Sequence, residues 1–305
     1  MQLPPELRSR IADACDQVAR RDLASAAKGL SDAYRDRERP SQRRLTKVDT
    51  LAYAATRMPA TYAVLRRVFS EIAGPVASLF DIGAGTGAGA WAIRESLGTD
   101  VRITCEERDP AMLELGRTLT PFAQWTSEAV QEADVVVLSY VLGELTSAAD
   151  VAALVGRAWQ SARRYLVVVE PGTPRGFARI AALRGHEGTI VAPCPHKLAC
   201  PMEAAKDWCH FAARVERTAL HRQLKGGELS HEDEKFSYLI LARGEAEAAR
   251  SPRIVRHPQI EAGHIQLQLC QPDGRLATYD ARKRSNPVAF KQARKAEWGD
   301  TYETP

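Results

Sequence analysis

Cys194, Cys200 and Cys209 stand in C-x5-C-x8-C order within VAPCPHKLACPMEAAKDWCHF, and Cys270 follows after sixty further residues. Four thiolates form a soft ligand set that suits zinc or an iron–sulfur cluster. Structural zinc sites favour cysteine pairs about two to four residues apart, and these spacings are wider. A cubane cluster is larger than one ion and accepts widely placed thiolates. Proline follows both Cys194 and Cys200, which removes an amide donor and stiffens the loop, a feature shared with ferredoxin cluster cysteines. His196 is an alternative ligand and His210 a weaker one. At this level an iron–sulfur cluster, zinc, and three loop cysteines without metal all stay open. The C-x3-C-x2-C spacing of radical enzymes is absent.

A second chemistry lies in FDIGAGTGAGAWAI, where Gly83, Gly85 and Gly87 alternate across a strand-to-helix turn. Glycine there permits positive φ and lets a ligand touch the backbone. A dinucleotide fold would place G-x-G-x-x-G at this turn. The order G-A-G-T-G, preceded by Asp81, instead resembles the first motif of class I S-adenosylmethionine-dependent methyltransferases. The resemblance implies that the loop passes under the amino-acid part of the cofactor and that Asp81 aids its ammonium. Glu107 lies 20 residues after Gly87, where a carboxylate accepts the ribose hydroxyls. Glu107 is preferred to Glu106 because in the similar pattern the acid stands two before the Asp-Pro pair. No catalytic group is evident. LSYVLGEL, residues 138–145, occupies the rim of the acceptor pocket but is not the Asn/Asp-Pro-Pro-Tyr motif, and Glu144 fits a capping role as well as a substrate role.

These residues need a scaffold. SLFDIG, VRITCE, ADVVVLS and RYLVVVE are short, β-branched apolar runs, as in strands buried on both faces of a parallel sheet. Helical segments separate them: Asp109 is an N-cap with Pro110 behind it, and Ser147 with Asp150 forms a capping-box-like start. Strands alternating with helices predict a doubly wound α/β sheet. Upstream, Leu7, Ile11, Cys15 and Val18, then Leu51, Ala55 and Met58, then Tyr62, Leu65, Val68 and Phe69 keep helical spacing. Downstream, PGTPRGFARIAALRG predicts a loop and a helix, KFSYLILAR a strand, and GHIQLQLC with RLATYDAR a hairpin about a PDG turn. The expected division is an N-terminal helical region over 1–72, a methyltransferase-like domain over 73–250 with a cysteine insertion at 190–212, and a C-terminal β extension with a basic tail over 251–305.

The chain has 305 residues, 45% of them hydrophobic, and a formal charge of +4. That length buries a core without disulfides, and that charge permits an anionic partner without demanding one. No apolar run is long enough for a transmembrane helix, and the acidic N-terminal segment has no signal core. These features predict a cytoplasmic, bacterial protein with reduced thiols. Cys15 and Cys105 read as small core residues. Six basic residues fall within 35–47 and six within 282–295, both candidate contacts for RNA phosphates. Tyr279, Phe290 and Trp298 either stack on bases or belong to the core.

With both motifs in view, the chain resembles the family of the mitochondrial small-ribosomal-subunit methyltransferase-like protein and its bacterial relatives. The matching pieces are DIGAGTGAGAWA, LSYVLGEL, VVVEPGTPRGF, APCPHKLACP, DWCHF, EDEKFSYLIL and the closing WGD. The resemblance implies a Rossmann-like class I methyltransferase sheet and an S-adenosylmethionine pocket at Asp81, Gly83, Gly85, Gly87 and Glu107. It also implies a 4Fe-4S cluster held by Cys194, Cys200, Cys209 and Cys270, with zinc as the alternative metal. The implied partners are the small ribosomal subunit and its rRNA, with no membrane and no DNA. The expected function is ribosome assembly; the alternative is an active S-adenosylmethionine-dependent rRNA methyltransferase.

Overall fold

The structure, a computed structural model, describes residues 1–35, 44–128, 132–244 and 251–303. Its internal contacts divide into two compact units, Met1–Val167 with Ala213–Glu234, and Val168–Ala212 with Lys235–Pro305.

The chain opens with four helices, α1 Pro5–Cys15, α2 Arg20–Arg35, α3 Lys47–Thr56 and α4 Met58–Phe69. Helix α1 buries Leu7, Ile11 and Cys15, the stripe its spacing predicts. Helix α3 begins in a capping box: Thr46 Oγ1 accepts from Asp49 N at 3.2 Å, and Asp49 Oδ2 accepts from Thr46 N at 2.9 Å. Only Arg57 separates α3 from α4, and Pro59 sits in the first turn of α4, where a missing N–H costs little. Most of the basic stretch 35–47 lies outside the described residues.

The alternating region follows as β1 Ser78–Ile82, α5 Ala88–Leu97, β2 Arg102–Glu106, α6 Pro110–Leu119, β3 Gln124–Thr126, β4 Ala133–Ser139, a 3-10 turn Leu142–Glu144, α7 Ala148–Ser161 and β5 Ala162–Pro171. Both predicted caps are present. Asp109 Oδ1 accepts from Ala111 N and Met112 N at 2.9 and 3.0 Å, and Ser147 Oγ accepts from Asp150 N at 3.0 Å. Strand β1 is buried along its whole length and pairs in parallel with β2 on one side and β4 on the other. That reversal of strand order on either side of β1 makes its carboxyl end the switch point where such sheets usually take a ligand. Strand β3, three residues long, pairs in parallel with β2.

After β5 come α8 Pro174–Leu183, β6 Thr189–Ala192, α9 Pro201–Ala204, β7 Phe211–Glu216, α10 Ala219–Lys225 and β8 His231–Ala242. The strand order of the main sheet is β3-β2-β1-β4-β5-β8-β6, with β7 paired to β8 and β6 antiparallel to β8. The fold is thus α/β with a Rossmann-like, mostly parallel sheet. The cysteine segment is not only a loop insertion: its flanks supply the strands β6 and β7.

The chain ends with β9 Arg253–Ile254, β10 Gln259–Glu261, β11 His264–Cys270, β12 Leu276–Arg282 and α11 Pro287–Ala293. The predicted hairpin pairs Leu267 with Tyr279 and Cys270 with Leu276. With β9 and β10 it builds a separate four-stranded sheet. Ile254, Ile265, Leu267, Leu269, Ala281, Ala293 and Tyr302 form its core, and Tyr279 and Phe290 pack against them. Those two rings thus contribute to the packing of this sheet. Among the described residues no helix is long and apolar enough to cross a membrane.

Candidate cofactor loop and candidate metal centre

The glycine loop lies in the first unit. Gly83, Gly85 and Gly87 all take positive φ, at 71, 57 and 92°, which only glycine adopts without strain. The amides of Gly83 and Ala84 both donate to Glu106 O at 2.9 Å, which ties the loop to the end of β2. A side chain at Gly83 would also meet Val141 Cγ1 at 2.3 Å. At Gly85 the nearest group is the Tyr53 hydroxyl from α3, 3.8 Å from a Cβ built there. Neither Val141 nor Tyr53 carries a sequence signal that places it against this loop.

The two adjacent acids at the end of β2 divide their work. Glu106 is buried and holds Arg157 by two bonds, Nη1 to Oε2 at 2.6 Å and Nη2 to Oε1 at 2.9 Å. Its charge is committed to packing α7 on the sheet. Glu107 stands one residue beyond the strand. Its Oε2 accepts from Gly85 N and its Oε1 from Asp109 N, each at 2.8 Å. Each oxygen keeps a further lone pair. Burial pushes the Glu107 pKa up, and the amides of Asp109, Gly85 and Arg108 counter that rise.

Asp81 sits lower, in β1, only 1% exposed. Neither of its oxygens has a hydrogen-bond partner among the described residues. Gly89, which the motif reading passed over, leaves the room: a Cβ there would lie 2.2 Å from Asp81 Oδ2. Burial, and then the nearby Glu107 charge, push the Asp81 pKa up to about 7. Cys105, also buried, feels both carboxylates and is pushed well up in turn. The sign follows from linkage. The folded state keeps a proton that the unfolded chain releases from its ordinary 3.8 upward, so stability falls as pH rises from about 4 to about 7. Asp81→Asn is expected to flatten that slope, of which about 3 kcal/mol falls between pH 5 and pH 8. Urea unfolding of both proteins at pH 5 and pH 8 measures it; parallel slopes would show Asp81 ionised throughout.

At the rim, Tyr140 follows β4 with a φ of 62°, a strained conformation for a side-chain-bearing residue and one that concentrates at functional sites. Glu144 in the following turn is exposed.

The candidate metal centre lies in the second unit. Cys194, Cys200, Cys209 and Cys270 all line one cavity, together with His196, Met202, Tyr238 and the guanidinium-bearing Arg184 and Arg253. Strand β6 delivers Cys194, Cys200 is the N-cap of α9, Cys209 precedes β7, and Cys270 ends β11. Ser237 Oγ donates to Cys209 O at 2.8 Å. His196 Nε2 stands 3.4 Å from Cys270 Sγ. His210 does not line the cavity; it stacks on Trp208 at 5.4 Å and meets Trp298 edge-on at 4.8 Å. Trp298 also packs on His257.

Burial raises the pKa of Cys194, and that of Cys209 still further, with the neighbouring cavity sulfurs adding to both. Cys270 is pushed up to about 12, first by burial and then by Cys194 and Cys200. Such thiols hold their protons until a metal displaces them. Among the described residues no three His, Cys, Asp or Glu side chains converge on a single ion position. Four cysteine sulfurs lining one cavity are a soft donor set of the kind thiolate-bound metal centres use.

A family model described as "Mitochondrial small ribosomal subunit Rsm22" matches residues 47–303. The human "Ribosome assembly protein METTL17, mitochondrial" is 34% identical over 289 residues, covering 82% of this chain and 62% of that protein. The "Rsm22-cox11 tandem protein 2, mitochondrial" of Schizosaccharomyces pombe is 24% identical over 353 residues, covering 93% of this chain and 46% of that protein. The chain thus spans about half to three fifths of the length of these two relatives. Among solved structures, it is similar to the S-adenosylmethionine-bound amino pentose methyltransferase CalS10 from Micromonospora echinaspora. That likeness has a TM-score of 0.35 and 17% identity, and covers 79% of this chain and 83% of that one.

Proposed function

We propose, from the premise that this chain belongs to the Rsm22 family of mitochondrial small ribosomal subunit proteins, that it is a small-subunit assembly factor that binds S-adenosylmethionine and carries a 4Fe-4S cluster. The observation that carries the proposal is the reach of the family match. Residues 47–303 include both the glycine loop and all four cavity cysteines.

In this reading the cofactor lies across Gly83, Gly85 and Gly87. Glu107 offers its remaining lone pairs to the ribose hydroxyls, and the buried Asp81, its pKa raised to about 7, gives up its proton as the cofactor's ammonium approaches. Cys194, Cys200, Cys209 and Cys270 hold the cluster, which when bound supplies a covalent tie between distant parts of the second unit. RNA phosphates meet the basic stretch 282–295. Its six cations, Arg282, Lys283, Arg284, Lys291, Arg294 and Lys295, are all exposed. We place this action in the cytoplasm.

The test is binding of the cluster-loaded chain to small-subunit precursor particles in salt titrations. Expected is retention that falls steeply with salt. Replacing Arg282, Lys283 and Arg284 by glutamine is expected to weaken it about tenfold or more. Equal retention on large-subunit particles, or none on either, would remove the assembly role. Run with methyl-labelled cofactor, the same particles test a second reading, an active rRNA methyltransferase, which the strained Tyr140 at the rim favours. Label in small-subunit RNA is its signature.

A further inference from the structure

We propose that His196 is a hydrogen-bond donor to the Cys270 thiolate and not a metal ligand, with Arg184 fixing the tautomer that makes it one. This role rests on the cluster reading of the cysteine cavity and lies outside the ligand set.

Three segments of the second unit bring the groups together. Arg184 is the C-cap of α8, His196 lies between Cys194 and Cys200, and Cys270 ends β11. His196 is 9% exposed and lines the cavity. Arg184 Nη2 donates to His196 O at 3.1 Å and to Leu198 O at 2.8 Å, which anchors the loop that carries the imidazole. The same Nη2 stands 3.4 Å from His196 Nδ1. On the other side of the ring, Nε2 stands 3.4 Å from Cys270 Sγ. Gly274, in the turn of the β11–β12 hairpin, keeps the remaining side close: a Cβ built there would lie 3.9 Å from His196 Cε1.

These neighbours leave one arrangement of protons. A guanidinium only donates, so Nδ1 presents its lone pair to Arg184. A neutral imidazole with its lone pair on Nδ1 carries its proton on Nε2. A metal-bound cysteine has given up its own proton, so its sulfur accepts, and Nε2–H is the group that faces it. Ligation through Nε2 would demand the other tautomer. The Nε2 lone pair would go to the metal, and Nδ1–H would be pressed against the guanidinium. Metal-bound histidines turn that second N–H toward a carboxylate, a carbonyl or water, and here the site offers a cation.

A hydrogen bond to a ligand sulfur draws charge from it and so favours the reduced cluster. The experiment compares the full-length parent with H196Q and H196L, each reconstituted anaerobically with ferrous iron and sulfide. Iron and sulfide per chain are measured first. The samples are then held at one fixed potential, with dithionite as the electron donor, and the reduced-to-oxidised ratio is read by electron paramagnetic resonance. Glutamine can turn its amide N–H to the same sulfur and its oxygen to Arg184; leucine can do neither. H196L is expected to keep the cluster and to lower the ratio about fivefold or more, with H196Q within about twofold of the parent. Cluster loss confined to H196L, with the parent's ratio in H196Q, supports the donor role equally. Equal ratios in all three, a ratio as low in H196Q as in H196L, or loss of iron from both variants overturns the inference. A parent chain that takes up no iron defeats the cluster reading itself, and the donor role with it.

Discussion

Cys270→Ser is expected to lose most of the iron and sulfide of the anaerobically purified protein and to lower the melting point of the second unit. Cys194, Cys200 and Cys209 come from one short segment, but Cys270 ends β11, in the separate C-terminal sheet. On the proposed cluster it would close a loop of roughly sixty residues through the metal. A crosslink over that length restricts the unfolded chain by about 4 kcal/mol in the chain-entropy model. Serine is nearly isosteric, and its hydroxyl can still bond His196 Nε2, which lies 3.4 Å from the native sulfur. Packing loss is thus small, and lost metal reports lost ligation. The control is Cys15→Ala. Cys15 is fully buried in α1 of the first unit, so this change costs stability through packing and leaves iron untouched. Unchanged iron and unchanged melting in Cys270→Ser would take this residue out of the ligand set.

Much of this arrangement is legible in the chain because it depends on periodicity and on residues with few roles. Buried strands β1, β2, β4 and β5 announce themselves as β-branched runs, and the glycine loop as a run of residues that only a positive-φ turn requires. The strands that escaped are short and polar at one end. Gln124–Thr126 and Thr189–Ala192 are held by their neighbours in the sheet, not by their own pattern. Pairing with β8 makes β6 a strand although Pro193 and Pro195 beside it read as loop. The buried arginines escaped for a related reason. Nothing in ALRGH marks Arg184 as interior, since arginine defaults to the surface, and only the fold shows it 7% exposed beside the cavity that the four cysteines line. The neighbouring glutamates are the opposite case. Motif position favours Glu107 over Glu106, and in the structure Arg157 pairs with Glu106.

That division between the two acids yields the last large expected effect. Glu107→Ala is expected to weaken S-adenosylmethionine binding by about 100-fold or more, since hydrogen bonds from two hydroxyls to a carboxylate contribute about 1.5–3 kcal/mol each. The loss has a second source. Without Glu107 the amides of Gly85 and Asp109 lose the acceptors they now reach at 2.8 Å, so the loop is less ordered before any ligand arrives. Glutamine does not restore it, because its amide group turns a donor toward one of those two N–H groups. Glu106→Gln is expected to behave in reverse. It weakens a buried bidentate pair and leaves Arg157 under-compensated, at a cost of about 3–5 kcal/mol of stability, yet the folded fraction should bind cofactor as the parent does. Calorimetric titration of cofactor, paired with urea unfolding, separates the two outcomes. If Glu107→Ala binds within threefold of the parent, or if folded Glu106→Gln loses affinity to the same degree, the ribose-binding role moves away from Glu107. The glycine loop would then be a strand-to-helix turn without a nucleoside to hold.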